Sequence, residues 1–341
     1  MRLAALVKDP QHVCARYRLT AFQTELAASG HALDYTPWHG HWRSTIAARG
    51  RLRAADAVVV QRSLPIAPHW ALVRRFSPTL IFDFDDAVFC RDSYARQGTD
   101  CAYKLRRFRR VAASCDAVVA GNSFLAAEAA RATKPERVHV VPTCVDVDKY
   151  HLAQHERTDR PRLVWIGSSS TLQGLETVRR HFLEIGRAVP DARLKTICDR
   201  AFLESGLPTD FVPWNATREA ADLADAEIGI SWIPDDPWSR GKCGLKLLQY
   251  MAAGLPVVTN PVGVHAEIVD HGVTGFLATS ADEWIAAIRT LAADPALRRK
   301  MGEAGRRKVE ARYSTRRGAQ LWTTLLDTLG PRAAPQLEQA A

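Results

Sequence analysis

Residues 239 to 269, SRGKCGLKLLQYMAAGLPVVTNPVGVHAEIV, decide how the chain folds. Apolar residues recur at helical spacing from Leu245 to Ala253, Gly254 ends the run, and Pro256–Thr259 reads as a short buried strand. A helix feeding a short buried strand is the repeating unit of a parallel sheet, whose strands are covered on both faces. Gly241 and Gly244 permit a tight turn ahead of the helix, and Lys242 and Lys246 flank its start. Cations stabilise the C-terminal end of a helix, so lysines at the N-terminal end are locally unfavourable. They point either to an anion held there or to a solvated surface pair.

The alternation extends outward in both directions. Strands are predicted at Arg2–Val7, Ala32–Thr36, Ala57–Gln61, Leu80–Phe84, Ala117–Ala120 and Val138–Val141, with helices at Arg18–Ser29, Tyr103–Ser114 and Ser123–Ala132. The polar, aperiodic segment 149–162, KYHLAQHERTDRPR, separates these from a second series. That series has strands at Leu163–Ile166, Arg193–Cys198, Asp210–Val212, Ile228–Ser231, Pro256–Thr259 and Gly275–Ala278. Its helices are predicted at Leu172–Ala188, Thr217–Ala224, Leu245–Ala253, Ala281–Asp294 and Ala296–Tyr313, with a further helical stretch after Tyr313 and a Pro/Ala-rich, frayed tail over 331–341. The fold class is α/β: two Rossmann-like, doubly wound domains. The expected division is 1–155 with 315–341, and 156–314.

A chain of 341 residues, 47% apolar, is long enough for two such cores. Its 46 Lys and Arg against 37 Asp and Glu give a formal charge of +9, which calls for an anionic partner. The seven cysteines are scattered, with no CxxC pair and no Cys/His ligand spacing, so reduced thiols in a cytoplasmic setting and no Cys/His metal site are expected. No apolar run reaches the length of a spanning helix, which leaves membrane contact only at the periphery.

In doubly wound sheets ligands sit outside the carboxyl ends of the strands, so the loops there carry the chemistry. After Leu163–Ile166 come Gly167, Ser168, Ser169, Ser170 and Thr171, free N–H groups and hydroxyls that suit an anion or an ordinary N-cap. After Leu80–Phe84 come Asp85 and Asp86, able to hold sugar hydroxyls, take a proton or bind a metal, or merely to shape a turn. The basic stretch Tyr103–Ser114 is either a peripheral membrane contact or a solvated helix face. Nucleic acid is not indicated, since no zinc finger or RNP-type aromatic motif is present.

With these residues in view, the chain resembles retaining glycosyltransferases of family 4, which have the GT-B architecture of two Rossmann-like domains facing a cleft. The resemblance is strongest over DAEIGISWIPDD (225–236) and KLLQYMAAGLPVVTNPVGVHAEIVDHGVTGFL (246–277). It is supported by VVPTCVDVDKY (140–150) and WIGSSST (165–171), and more weakly by FDFDDAVF (82–89) and AVVAGNSFLAAEA (117–129). It implies transfer of a sugar from a nucleoside diphosphate sugar to the hydroxyl of a glycan, lipid-linked or small-molecule acceptor, without cofactor or metal. Cell-surface glycan or glycoconjugate synthesis is the implied setting. Lys246, assisted by Lys242, would stabilise the leaving diphosphate, and Asp85 and Asp86 would orient hydroxyls. Gly167, Ser168, Ser169, Ser170, Thr171, Asp199, Gly244, Leu245, Gln249, His265 and Glu267 would bind the donor, and the helix around Gln320–Leu329 would cross back onto the first domain.

The chain departs from the family's Glu-x7-Glu pattern, with Gly241 and Gln249 at the two glutamate positions. It is similar to a subgroup that writes KxxxKLLEYMA there. A nucleotide-sugar epimerase, a phosphorylase, or a degenerate nucleotide-sugar-binding partner subunit would share the architecture.

Overall fold

The computed structural model describes residues 1–158, 160–202 and 206–331. Of the frayed tail predicted over 331–341, residues 332–341 lie outside the described residues. Contacts divide the chain into two units. The first comprises Met1–Cys144, Arg240–Cys243 and the segment beginning at Thr315; the second comprises Val145–Ser239 and Gly244–Ser314.

In the first unit, strands β1 (Arg2–Val7), β2 (Ala32–Pro37), β3 (Ala57–Gln61), β4 (Leu80–Phe84), β5 (Ala117–Ala120) and β6 (Val138–Val140) form a parallel sheet in the order β2-β1-β3-β4-β5-β6. Every residue of β3, β4 and β5 is buried, as strands covered by helices on both faces require. One face packs Leu3, Ala5, Val59 and Ile81 against Phe22 and against Trp322, Leu325 and Leu326 of the Thr315–Leu329 helix.

The predicted helix Arg18–Ser29 is instead a helix at Val13–Arg18, a 3-10 turn at Thr20–Phe22 and a helix at Gln23–Ala28. The break falls beside Arg18, which is fully buried, ion-paired to Asp83 and bonded to the carbonyl of Val141. Helices at Trp42–Ala54 and Ala67–Phe76 complete the unit and were not expected from the sequence. The first buries only Thr45, Ala48 and Leu52, too sparse an apolar face to show as a period.

In the second unit, β7 (Arg162–Ile166), β8 (Arg193–Cys198), β9 (Thr209–Pro213), β10 (Ile228–Ser231), β11 (Val257–Thr259) and β12 (Gly275–Leu277) form a parallel sheet in the order β12-β11-β10-β7-β8-β9. From β7 the chain winds outward to β8 and β9, and from β10 it winds the other way. The switch point therefore lies between β7 and β10, where a doubly wound sheet offers its ligand crevice. The single helix predicted over Leu172–Ala188 is two, Ser169–Thr177 and Arg179–Ala188, joined at Val178, whose φ of −111° and ψ of 26° leave the helical region.

Candidate functional site

In the second unit the switch point is built by residues from three segments. β7 ends at Ile166, Gly167 turns the chain, and Ser168 caps the Ser169–Thr177 helix in a capping box with Thr171. A Cβ on Gly167 would lie 2.5 Å from the Trp165 ring and 2.6 Å from Thr171 Oγ1, so the glycine lets the cap close onto Trp165. The Ser168 N–H donates to Thr171 Oγ1 at 3.2 Å. The N–H and hydroxyl of Ser169 donate to the two oxygens of Asp199, at 2.6 and 2.8 Å. The Ser169 hydroxyl, then Cys198 and the Ser169 N–H, pull the Asp199 carboxyl down to about 2. Asp199 thus stands as a second anchor of the helix start.

Lys246 lies in the first turn of the Leu245–Ala252 helix. Its Nζ is 3.3 Å from Thr171 Oγ1 and 5.3 Å from the centroid of the Trp165 ring. A hydroxyl and an aromatic face therefore hold an ammonium group beside the Gly167–Thr171 loop, and the positive end of its own helix adds to its charge. His265 is buried nearby, its Nδ1 2.8 Å from Thr259 Oγ1. Burial, and then the charge of Lys246, lower its pKa to about 3, so the imidazole is neutral. Glu267, in the His265–Ile268 helix, is exposed, and its carbonyl accepts from Lys308 at 2.9 Å.

Tyr250 was not foreseen. Its hydroxyl accepts from the Ile166 N–H at 3.0 Å and donates to the Ile230 carbonyl at 3.1 Å, joining the ends of β7 and β10 across the switch point. One turn of helix separates it from Lys246, so this bridge fixes the helix that carries the lysine. Gln249 is buried, and its Nε2 donates to the Tyr150 hydroxyl at 3.2 Å.

In the first unit a second polar cluster gathers at the ends of β3 and β4. Arg62, which follows β3 with φ of 54°, is ion-paired to Asp86, lies 3.4 Å from Asp85 Oδ1 and bonds Cys14. A left-handed conformation is unfavourable for arginine, and such strain collects where surrounding structure needs a side chain in one place. Lys242 Nζ is 2.9 Å from Asp86 Oδ1. Burial raises the Asp85 pKa, and Arg62 opposes the rise. Lys242 and Lys246, neighbours in the sequence, thus belong to different units.

The segment Arg240–Cys243 is held in the first unit by its backbone as well as by the side chains of Lys242 and Cys243. Asn122 Nδ2 donates to the carbonyls of Lys242 and Arg240 at 2.9 and 3.3 Å, and Cys243 Sγ donates to the Asp85 carbonyl at 3.2 Å. A Cβ on Gly241 would sit 2.7 Å from both the nitrogen and the Cβ of Ala87. The missing side chain there is a condition of this docking.

The basic helix Ala102–Ser114 uses much of its charge internally. Lys104, Arg107 and Arg110 donate to the carbonyls of Cys90, Leu64 and Pro65, and Arg107 also lies over Tyr103. Arg106 and Arg109 are exposed. Among the described residues no helix is long and apolar enough to cross a membrane.

Residues 237–308 match the family described as Glycosyl transferases group 1. The match includes Lys246, Gln249, Tyr250 and His265 and covers less than half of the chain. D-inositol 3-phosphate glycosyltransferase of Corynebacterium kroppenstedtii is 24% identical over 196 residues, which are 50% of this chain and 43% of that protein. The chain spans about half the length of the curated relatives it matches. Among solved structures it is similar to sucrose-phosphate synthase from Thermosynechococcus elongatus, with a TM-score of 0.76, 16% identity and coverage of 96% of this chain and 98% of that one. It is also similar to HepE of Anabaena in complex with UDP and glucose, with a TM-score of 0.68, 16% identity and coverage of 96% and 100%. These likenesses establish the fold: two Rossmann-like units of GT-B type.

Proposed function

We propose that the chain is a retaining glycosyltransferase of family 4, moving a sugar from a nucleoside diphosphate sugar to an acceptor hydroxyl in glycan or glycoconjugate synthesis. The observation that carries the proposal is Lys246, held by Thr171 and Trp165 at a helix start beside the Gly167–Thr171 loop of the switch point. A fixed ammonium group and two helix N-termini form a preorganised field for negative charge. A diphosphate gains charge as the bond to the anomeric carbon breaks, so such a field favours the transition state over the bound donor. His265 stays neutral and leaves this field to the Lys246 ammonium and the helix starts. The departing phosphate oxygen takes the proton of the acceptor hydroxyl, which then attacks from the face the phosphate leaves. HepE, a neighbour in fold, binds UDP and glucose, in keeping with this donor class.

Asp85 and Asp86, charge-balanced by Arg62 and Lys242, are assigned to acceptor hydroxyls. The role of Lys242 as assistant to Lys246 competes with its ion pair to Asp86. A lipid-linked acceptor has the weaker support, resting on exposed Tyr103, Arg106 and Arg109.

Thermal shift with UDP-, GDP- and dTDP-glucose tests the proposal, since a ligand that binds the native state raises Tm by mass action. A rise with one of them, and glycosyl transfer to an added acceptor, are expected. Isomerised sugar without acceptor would indicate an epimerase, and no response to any nucleotide sugar would sink the assignment.

A further inference from the structure

Gln249 belongs to a buried chain of hydrogen bonds in the second unit. Glu219 is buried, and its carboxylate accepts from Trp214 Nε1 at 2.8 Å, Lys149 Nζ at 3.0 Å and the Tyr150 hydroxyl at 3.0 Å. Burial opposes its charge, but the bonds from Trp214, Lys149 and Tyr150 outweigh it and hold the pKa below the ordinary value. An ionised carboxylate can only accept, so the single proton of the Tyr150 hydroxyl points at Glu219. The tyrosine oxygen then presents a lone pair to Gln249, and an amide can meet it only with its NH2 end. The amide is thereby fixed with its carbonyl oxygen on the other side.

We propose that Glu219, acting through Tyr150, is the positioning residue for Gln249, and that this relay has room for one carboxylate only. Resting on the function proposed above, the relay orients the Gln249 carbonyl as an acceptor for a hydroxyl of the bound nucleotide. A glutamate at 249 would set two carboxylates against a hydroxyl with one proton, in a buried place where like charges repel strongly. The glutamine and Glu219 are thus a matched pair, with the one negative charge at position 219.

The test is a charge-exchange cycle of Gln249→Glu, Glu219→Gln and the double variant, with Tyr150→Phe as the variant that removes the relay and leaves both partners. Tm is read for each. Binding of UDP, GDP and dTDP is measured by calorimetry on the folded proteins. Gln249→Glu is expected to lower Tm by several degrees, and the double variant to recover most of the loss. Glu219→Gln and Tyr150→Phe are expected to weaken the bound nucleotide by about tenfold, one oriented hydrogen bond's worth. Equal Tm for Gln249→Glu and the wild type, or no recovery in the double variant, would overturn the one-carboxylate claim. Lower Tm with unchanged nucleotide affinity in Glu219→Gln and Tyr150→Phe would leave a structural network and overturn the positioning role. Wild-type protein that binds none of the three would defeat the underlying function and the positioning role with it, while the Tm cycle would still read the carboxylate claim by itself.

Discussion

Gly241 stands at the first glutamate position of the Glu-x7-Glu pattern. Its Cα faces the backbone and side chain of Ala87 with no space for a Cβ. Gly241→Glu is therefore expected to destabilise by roughly 1–3 kcal/mol, the usual range for overpacking, and to bring no gain in donor affinity. Urea denaturation and calorimetry check the two halves. His265 gives a prediction in pH. Its native pKa is lowered to about 3, whereas a histidine in the unfolded chain titrates near ~6.5. Below that value the unfolded state binds a proton that the native state refuses, so stability falls with pH between the two. The loss is about 2 kcal/mol by pH 5, set by the unfolded pKa. Against His265→Gln, the wild type should lose that much more stability from pH 7.5 to 5 in chemical denaturation.

At the scale of elements, Tyr250 is the tie between β7 and β10. Tyr250→Phe leaves the buried Ile166 N–H and Ile230 carbonyl without their partner, a cost of about 1–3 kcal/mol each way such groups are stranded. A lower urea midpoint is expected, together with weaker nucleotide binding as the Lys246 helix loosens. The strands were legible because β3, β4, β5 and β10 are short, mostly apolar runs that helices must cover. Trp42–Ala54 was not, since three buried side chains in a polar helix leave no period. The Gly167–Thr171 loop and Lys246 could both be picked out locally, by helix-start chemistry and by a cation at the wrong helix end. Arg62, Tyr150, Glu219 and Tyr250 could not, because their partners lie tens of residues away across a sheet or in another segment.

At the scale of the molecule, the two sheets divide the chemistry: an acidic pair balanced by Arg62 and Lys242 in the first unit, and a cationic cradle at the switch point of the second. The alternation of apolar strands and amphipathic helices announced two doubly wound sheets. It could not announce that Arg240–Cys243 leaves the second unit for the first, because that depends on Asn122, Asp85 and Asp86, more than a hundred residues earlier. The central claim is that the Lys246 cradle binds the diphosphate of a nucleotide sugar. Calorimetric titration of the wild type and Lys246→Ala with UDP-, GDP- and dTDP-glucose tests it most directly. One donor should bind the wild type and bind the variant at least about tenfold more weakly, a difference of ~1.4 kcal/mol or more; equal affinity in the two proteins would contradict it.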